Sequence, residues 1–367
     1  MKRILLLSDI NSAHTQKWAV ALQYAGYPTG IFSLSQPQED WYSVHGIQLL
    51  SNSGFEKKQF YSSDILKLKY LLNRSHVHKA IQQFKPDLVH AHYLTSYGSL
   101  GRMSGFHPLI VSAWGSDLLD FPQRSYFHRK LIRMNLHAAD KRIASSVILA
   151  DEIRKTFKMD CEVIPFGIDV NRFVPSSGDQ SNANEEIVIG TIKSLEPVYC
   201  LDVLIRAFAK VKKQNPEKKL KLMLVGDGSL ETHLRNLVKE LNLTDETQFA
   251  GKVKYDEVHR YHQQIDIFVN ISERESFGVS VLEASASGKP VIVSKAQGLK
   301  EVFRNELTGI AVEIKNTDDT ANAIDRLVKD PSLRLKMGLS GREFVTKEFS
   351  WGASLHKLLG VYESVLK

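Results

Sequence analysis

Short apolar runs, many of them β-branched, alternate with stretches whose apolar residues recur at helical spacing, and the alternation is carried through twice. In the first half the runs at 4–7, 29–32, 87–92, 109–113, 142–145 and 161–164 predict strands, and 15–24, 63–84 and 123–137 predict helices. In the second half strands are expected at 187–192, 220–225, 247–250, 265–270, 290–294 and 309–312. Helices are expected there at 201–214, 231–241, 279–286, 319–328 and 333–345. A chain written this way folds into parallel sheets flanked by helices. Residues 175–186 are polar and without periodicity, which marks a linker between two α/β halves. Two such halves imply a cleft, and ligands of open α/β sheets bind beyond the carboxyl ends of the strands. A final amphipathic stretch, 351–366, has no strand after it; it either caps the second half or braces the first.

Length agrees with two domains, since the chain has 367 residues and a domain takes roughly 100–200. Cys161 and Cys200 are its two cysteines, too few for a disulfide scaffold and suited to a reducing compartment. The opening apolar run ends at Asp9, too soon for a signal-peptide core, and nothing approaches the roughly 18 uncharged apolar residues of a membrane span. The expected location is the cytoplasm. Net charge is +7, unevenly spread: residues 1–170 carry 20 Lys and Arg against 14 Asp and Glu, the rest 28 against 27. A basic first half suits an anionic partner, or is simply solubility charge.

The segment 271–293 carries the clearest chemistry. A strand ends near Asn270, a loop with Ser276 and Gly278 follows, a helix runs to Gly288, and Pro290 opens the next strand. The start of that helix aims free N–H groups and a positive dipole end at the cleft, which suits phosphate. Glu275 precedes the helix and Glu283 lies about a turn into it, so two carboxylates stand at different depths beside a phosphate site. One carboxylate can accept two adjacent hydroxyls, as a sugar presents them. Both also fit plainer roles, a negative residue at a helix start and a solvated helix residue.

Glu275 and Glu283 with Ser276-Phe277-Gly278 between them resemble the signature of glycosyltransferase family 4, retaining nucleotide-sugar transferases of GT-B fold. Further pieces fall in that family's order: 163–169 with Phe173, 190–197, 224–229, 249–253 and Phe349-Ser350-Trp351. The resemblance implies two Rossmann-like domains facing each other across a cleft. Residues 1–173 would form the acceptor domain, 186–349 the nucleotide-sugar-binding domain, and 350–367 a helix crossing back to the first. It implies that Glu275 holds donor-sugar hydroxyls and Glu283 the ribose. The N–H groups of Phe277, Gly278 and Val279 would face the diphosphate, with Lys193 as its cation. Ser276, Gly190, Gly226, Lys252 and Val253 would complete the donor side. The donor is expected to be a UDP-sugar and the acceptor a glycan or polyprenyl-diphosphate-linked glycan in surface polysaccharide synthesis. The chain departs from the pattern at Val198 and Cys200, where a second basic residue and a glycine are usual. Loss of a cation at a diphosphate leaving group removes roughly a few kcal/mol of stabilisation. Lys252, Lys254 and Arg274 are candidates to replace it.

In the first half, Trp114 stands where many relatives have a histidine, while Gly115 and Asp117 match. Asp117 orients the acceptor or caps a loop. His14 follows the first strand in a loop without glycine, and acts on the acceptor side or merely starts a helix. His90 and His92 share one face of a strand by period-two alternation. No further ligand is spaced to make them a metal site, so a polar strand end, with His92 on the acceptor side, is expected. No Asp-x-Asp pair, P-loop or Gly-x-Gly-x-x-Gly follows the first strand, and neither a metal nor another cofactor is expected. Residues 121–142 hold Arg124, Arg129, Lys130, Arg133, Lys141 and Arg142 against Asp140, interleaved with Phe127, Leu131, Ile132 and Leu136. Such a helix packs its apolar stripe on the sheet, or lies on anionic lipid at the inner membrane face. Nucleic acid is disfavoured, because no recognition motif or stacking platform appears. Two other functions stay open: a sugar-nucleotide epimerase of the same fold, and a non-catalytic nucleotide- or glycan-binding homologue.

Overall fold

The computed structural model describes residues 1–55, 73–176 and 186–366. The expected linker lies almost wholly outside these residues, as does the first part of the helix expected at 63–84. The chain divides into two compact units, Met1–Phe166 with Ser354–Lys367, and Gly167–Ala353.

The first unit holds a seven-stranded sheet. Its strands are β1 (Ile4–Leu7), β2 (Thr29–Ser35), β3 (Gln48–Phe55), β4 (Leu88–His92), β5 (Leu109–Ala113), β6 (Lys141–Ala144) and β7 (Glu162–Val163), in the order β3-β2-β1-β4-β5-β6-β7. All neighbouring strands pair in parallel. Every residue of β1, β2, β4 and β5 is buried, as a parallel sheet covered on both faces requires. The helices are α1 (Ala13–Tyr24), α2 (Arg74–Phe84), α3 (Ser96–Ser104), α4 (Ser116–Leu119), α5 (Tyr126–Ala138) and α6 (Val147–Phe157). Ser125 and Ser146 cap α5 and α6 by accepting from the His128 and Leu149 N–H groups.

The second unit has six parallel strands, β8 (Ile187–Ile192), β9 (Leu220–Val225), β10 (Thr247–Gly251), β11 (Ile267–Asn270), β12 (Val291–Ser294) and β13 (Gly309–Val312), ordered β10-β9-β8-β11-β12-β13. Its helices are α7 (Leu201–Gln214), α8 (Glu231–Glu240), α9 (Val258–Gln264), α10 (Val279–Ala286), α11 (Thr317–Lys329) and α12 (Pro331–Glu348). Helix α13 (Trp351–Val365) closes the chain, and from Ser354 on it goes with the first unit.

The expectation of two parallel, helix-flanked Rossmann-like sheets with a terminal helix therefore holds. Several elements were not expected: β3, α3, α4, α6 and α9. The segment from Gly167 goes with the second unit because its backbone is tied there. Ile168 N–H donates to Phe349 O at 2.8 Å, and Trp351 N–H donates to Ile168 O at 2.8 Å. The Arg342 guanidinium then binds the carbonyls of Phe173 and Val170 at 2.9 and 3.2 Å.

Candidate active site

In the second unit, β11 delivers the chain to a loop that ends at Gly278. This residue has φ +90°, a conformation open to glycine, and α10 starts directly after it. The first N–H groups of α10 have no partner one turn back, so the Gly278–Val279 edge is a ready anion seat. Phe277 is buried, with its ring 5.8 Å from that of Phe349, and fixes the loop from below. Ser276 and Val279 are half-buried beside it.

Glu275 is held by contacts on both sides. Its Oε2 lies 2.5 Å from Lys193 Nζ, and the two side chains are only 14% and 12% exposed. Ser272 Oγ approaches the same oxygen at 3.4 Å while also donating to Asn270 Oδ1. Behind the loop is Gly298, where a Cβ would fall 1.8 Å from the Glu275 carbonyl oxygen, so only glycine allows this approach. Lys193 is seated in the same manner. Gly226, at φ +137°, would put a Cβ 2.0 Å from the Lys193 carbonyl oxygen, and Lys193 N–H donates to Val225 O. The Lys193 ammonium also lies 4.8 Å from the centre of the Tyr199 ring. Two loops, each pinned by a glycine, thus bring one cation and one carboxylate together.

Glu283 lies deeper, 4% exposed. Its Oε2 is 3.6 Å from His262 Nε2, its charge is felt by the Tyr255 phenol, and its Oε1 has no hydrogen-bond partner among the described residues. Burial, followed by the Glu283 charge, pushes the Tyr255 phenol above its ordinary pKa. Gly190 is not in a loop. It sits within β8, paired with Met223 and Phe268, and its missing side chain makes room for Ile265. Lys252 is exposed and Val253 half-buried, just past β10. The carbonyl of Val198 accepts from Glu273 N–H at 2.8 Å. Cys200 takes the left-handed conformation at φ +52°.

Of the first-unit candidates, His92, Trp114, Gly115 and Asp117 are packed inward and His14 is half-buried. Asp117 is 3% exposed: its Oδ2 accepts from Leu94 N–H at 2.8 Å, and its Oδ1 from Gly115 and Trp114 N–H at 2.8 and 3.2 Å. The carboxylate thereby ties the end of β4 to the end of β5. Burial raises its pKa against the pull of those hydrogen bonds. Gly115, at φ +151°, makes the turn. Trp114 packs against His92, with ring centres 4.4 Å apart, and the His14 ring stacks on Phe166 at 3.9 Å. His92 Nδ1 lies 2.9 Å from Ser8 Oγ, and Ser8 Oγ lies 2.6 Å from Thr15 Oγ1. His90 is held between Ser112 Oγ and the Tyr362 hydroxyl, each at 2.7 Å. Burial holds all three histidines down, His14 to about 4, His90 to about 3, and His92 well below the ordinary value. Among the described residues no group of three or more His, Cys, Asp or Glu side chains is arranged to hold a metal ion. No helix among them is long and apolar enough to cross a membrane.

Sequence reading missed Tyr255 and His262, the neighbours of Glu283, and Gly298 behind Glu275. None carries a local signal, because each reaches the site through packing between distant elements.

Two parallel Rossmann-like sheets, with a carboxylate, a lysine and a helix start converging at the strand ends of the second, define a GT-B architecture. The chain belongs to the group 1, family 4-like glycosyltransferases: residues 176–344 match the family described as glycosyl transferases group 1, and residues 3–146 match glycosyl transferase 4-like. Among its relatives is the D-inositol 3-phosphate glycosyltransferase of Salinispora arenicola, 28% identical over 75% of this chain and 68% of that protein. Another is the uncharacterized glycosyltransferase MJ1178 of Methanocaldococcus jannaschii, 28% identical over 81% of each chain. The fold is shared with sucrose-phosphate synthase of Thermosynechococcus elongatus, with a TM-score of 0.82 and 22% identity over 99% of both chains. It is shared too with Anabaena Alr3699/HepE, solved in complex with UDP and glucose, with a TM-score of 0.78 and 20% identity over 99% of this chain and 100% of that one.

Proposed function

We propose that this glycosyltransferase moves a sugar from a nucleoside-diphosphate donor, a UDP-sugar foremost, to a hydroxyl of a glycan or polyprenyl-diphosphate-linked acceptor, with retention at the anomeric carbon. The observation that carries the reading is the Lys193–Glu275 pair beside the start of α10. A pair so little exposed costs desolvation that its attraction only partly returns, so it suits a site that trades partners with a ligand. The donor's sugar hydroxyls donate to Glu275, while Lys193 and the N–H groups of Gly278 and Val279 face the diphosphate. Glu283 takes ribose hydroxyls.

In the reaction the bond from the anomeric carbon to the diphosphate oxygen breaks as the bond to the acceptor oxygen forms on the same face. The acceptor proton passes to the departing diphosphate oxygen. The protein's part is positioning and charge stabilisation, which accounts for a site without a nucleophile–base pair. Trp114, Gly115 and His14 would form the acceptor-side wall, with Asp117 and His92 acting through them. The UDP and glucose in the Anabaena HepE structure support the choice of donor.

The proposed workplace is the inner face of a membrane. Helix α5 exposes Tyr126 and Phe127 at 74% and 79% beside Arg129, Lys130 and Arg133, a combination that fits anionic lipid.

Incubation of purified protein with UDP-sugars and GDP-sugars, followed by separation of nucleotide and sugar products, tests the reading. Glu275→Ala is expected to lower turnover by about a hundredfold or more. An unchanged rate would remove Glu275 from the mechanism. Flotation with anionic vesicles should be lost on charge reversal at Arg129, Lys130 and Arg133.

A further inference from the structure

His262 occupies a slot that chemistry alone would give to a hydrocarbon. It is fully buried on α9, with the ring of Phe268 at 5.3 Å and that of Phe173 at 5.7 Å, edge-on. Neither Nδ1 nor Nε2 has a hydrogen-bond partner among the described residues. A phenylalanine would fill the same space without burying two polar nitrogens, each of which costs free energy when left unpaired. Buried polar atoms in this condition are rare, and each calls for a cause.

The cause lies on one side of the ring. His262 Nε2 is 3.6 Å from Glu283 Oε2, too far for a hydrogen bond and close enough for a charge to be felt. The Tyr255 phenol stands near enough to the same carboxylate to feel its charge, and Oε1 has no hydrogen-bond partner among the described residues. Three unpaired polar atoms, two on the imidazole and one on the carboxylate, therefore share one buried place. Arg172 backs this arrangement, donating to the Tyr255 carbonyl at 3.3 Å and pairing with Asp256 at 2.9 Å.

We propose that His262 is a positioning residue for Glu283: it fixes the carboxylate's rotation so that Oε1 is presented to the hydroxyls of the donor's ribose. This rests on the nucleotide-sugar reading and names the device by which that site tells a ribose from a sugar lacking the hydroxyl. A hydroxyl can donate to Oε1. With Oε1 engaged, the imidazole N–H closes on Oε2 and the carboxylate is held from both sides.

Calorimetric titration with UDP and 2′-deoxy-UDP, and with GDP and its 2′-deoxy form, tests the proposal. The wild type is expected to favour the ribose form of the nucleotide it binds by about tenfold, the worth of one charge-assisted hydrogen bond. His262→Phe refills the slot, so it should bind the deoxy form as the wild type does and lose the preference for ribose. His262→Gln keeps an N–H donor and should recover part of it. In turnover assays His262→Phe should raise the KM for the donor with kcat nearly unchanged, which a general loss of structure would not do. Adding Glu283→Gln to His262→Phe should cost no further affinity. If His262→Phe does not fold, His262→Gln against Glu283→Gln carries the same comparison. A His262→Phe protein that keeps the full ribose preference overturns the role of His262 and leaves the nucleotide reading intact. A wild type that binds none of the four nucleotides overturns that reading, and this inference with it.

Discussion

The buried polar groups around Asp117 and His90 in the first unit and those around Glu283 in the second are built to opposite rules. In the first, Asp117 has both oxygens filled by backbone N–H groups, His90 has both ring nitrogens filled, and His92 reaches Ser8. In the second, His262 has neither nitrogen filled and Glu283 has one oxygen empty. Both sets are buried, so exposure does not separate them. Satisfaction does: a filled network is framework, and removing a member leaves its partners stranded. An unfilled one already carries its cost and loses little when cut.

The contrast can be broken most directly at Asp117. Asp117→Ala strands the N–H groups of Leu94, Trp114 and Gly115 and should lower unfolding free energy by about 3 kcal/mol or more. A urea midpoint within error of the wild type would show that those bonds are replaced by water.

Acid comes next. His14 and His90 have folded pKa values of about 4 and about 3, against an unfolded value near 6.5. Between those values the unfolded chain binds more protons, so the stability is present above about 6.5 and is lost as pH falls. The slope is about 1.4 kcal/mol per pH unit for each histidine. Urea midpoints at pH 7.5 and 5.0 should differ accordingly, and a flat profile would place these rings in water.

Tyr362→Phe removes one partner of His90 and should cost about 1 kcal/mol, read from the same unfolding curves. The smallest change is expected at the other pole. Glu283→Ala should alter stability by less than about 1 kcal/mol in either direction, because it removes an incompletely paired buried charge. It should nevertheless reduce nucleotide-induced thermal stabilisation, by the amount a roughly tenfold weaker affinity implies. A large loss of stability would move Glu283 into the framework class and erase the comparison.

How much of this was legible in the sequence follows the same division. The strands at 4–7, 109–113, 187–192, 220–225 and 309–312 match what formed, because strands buried on both faces must be continuous apolar runs. Strand β3 was missed: its sequence, QLLSNSGF, is largely polar, and among the described residues it lies at the edge of the sheet. Helix α3 was missed for a different reason. Two glycines and three serines hide its periodicity, and Gly101 is there because a Cβ would meet Leu109 at 2.9 Å. In the site, Glu275 and Glu283 could be read from their spacing on one helix start. Tyr255 and His262 could not, since they reach Glu283 only after the turn at 255–257 and α9 have folded against α10. The inward-facing bonds of Asp117 were equally invisible, because a carboxylate at a strand end reads the same whether it meets a ligand or its own backbone.

The Tyr362–His90 bond joins residues 272 positions apart in sequence, within a unit that is otherwise complete by Phe166. During synthesis the first sheet can form while the second is still being made, but His90 must wait for its partner until residue 362 has left the ribosome. The first part of the protein to be born is thus the last to be finished, and a chain stopped early carries an unsealed imidazole in its oldest core.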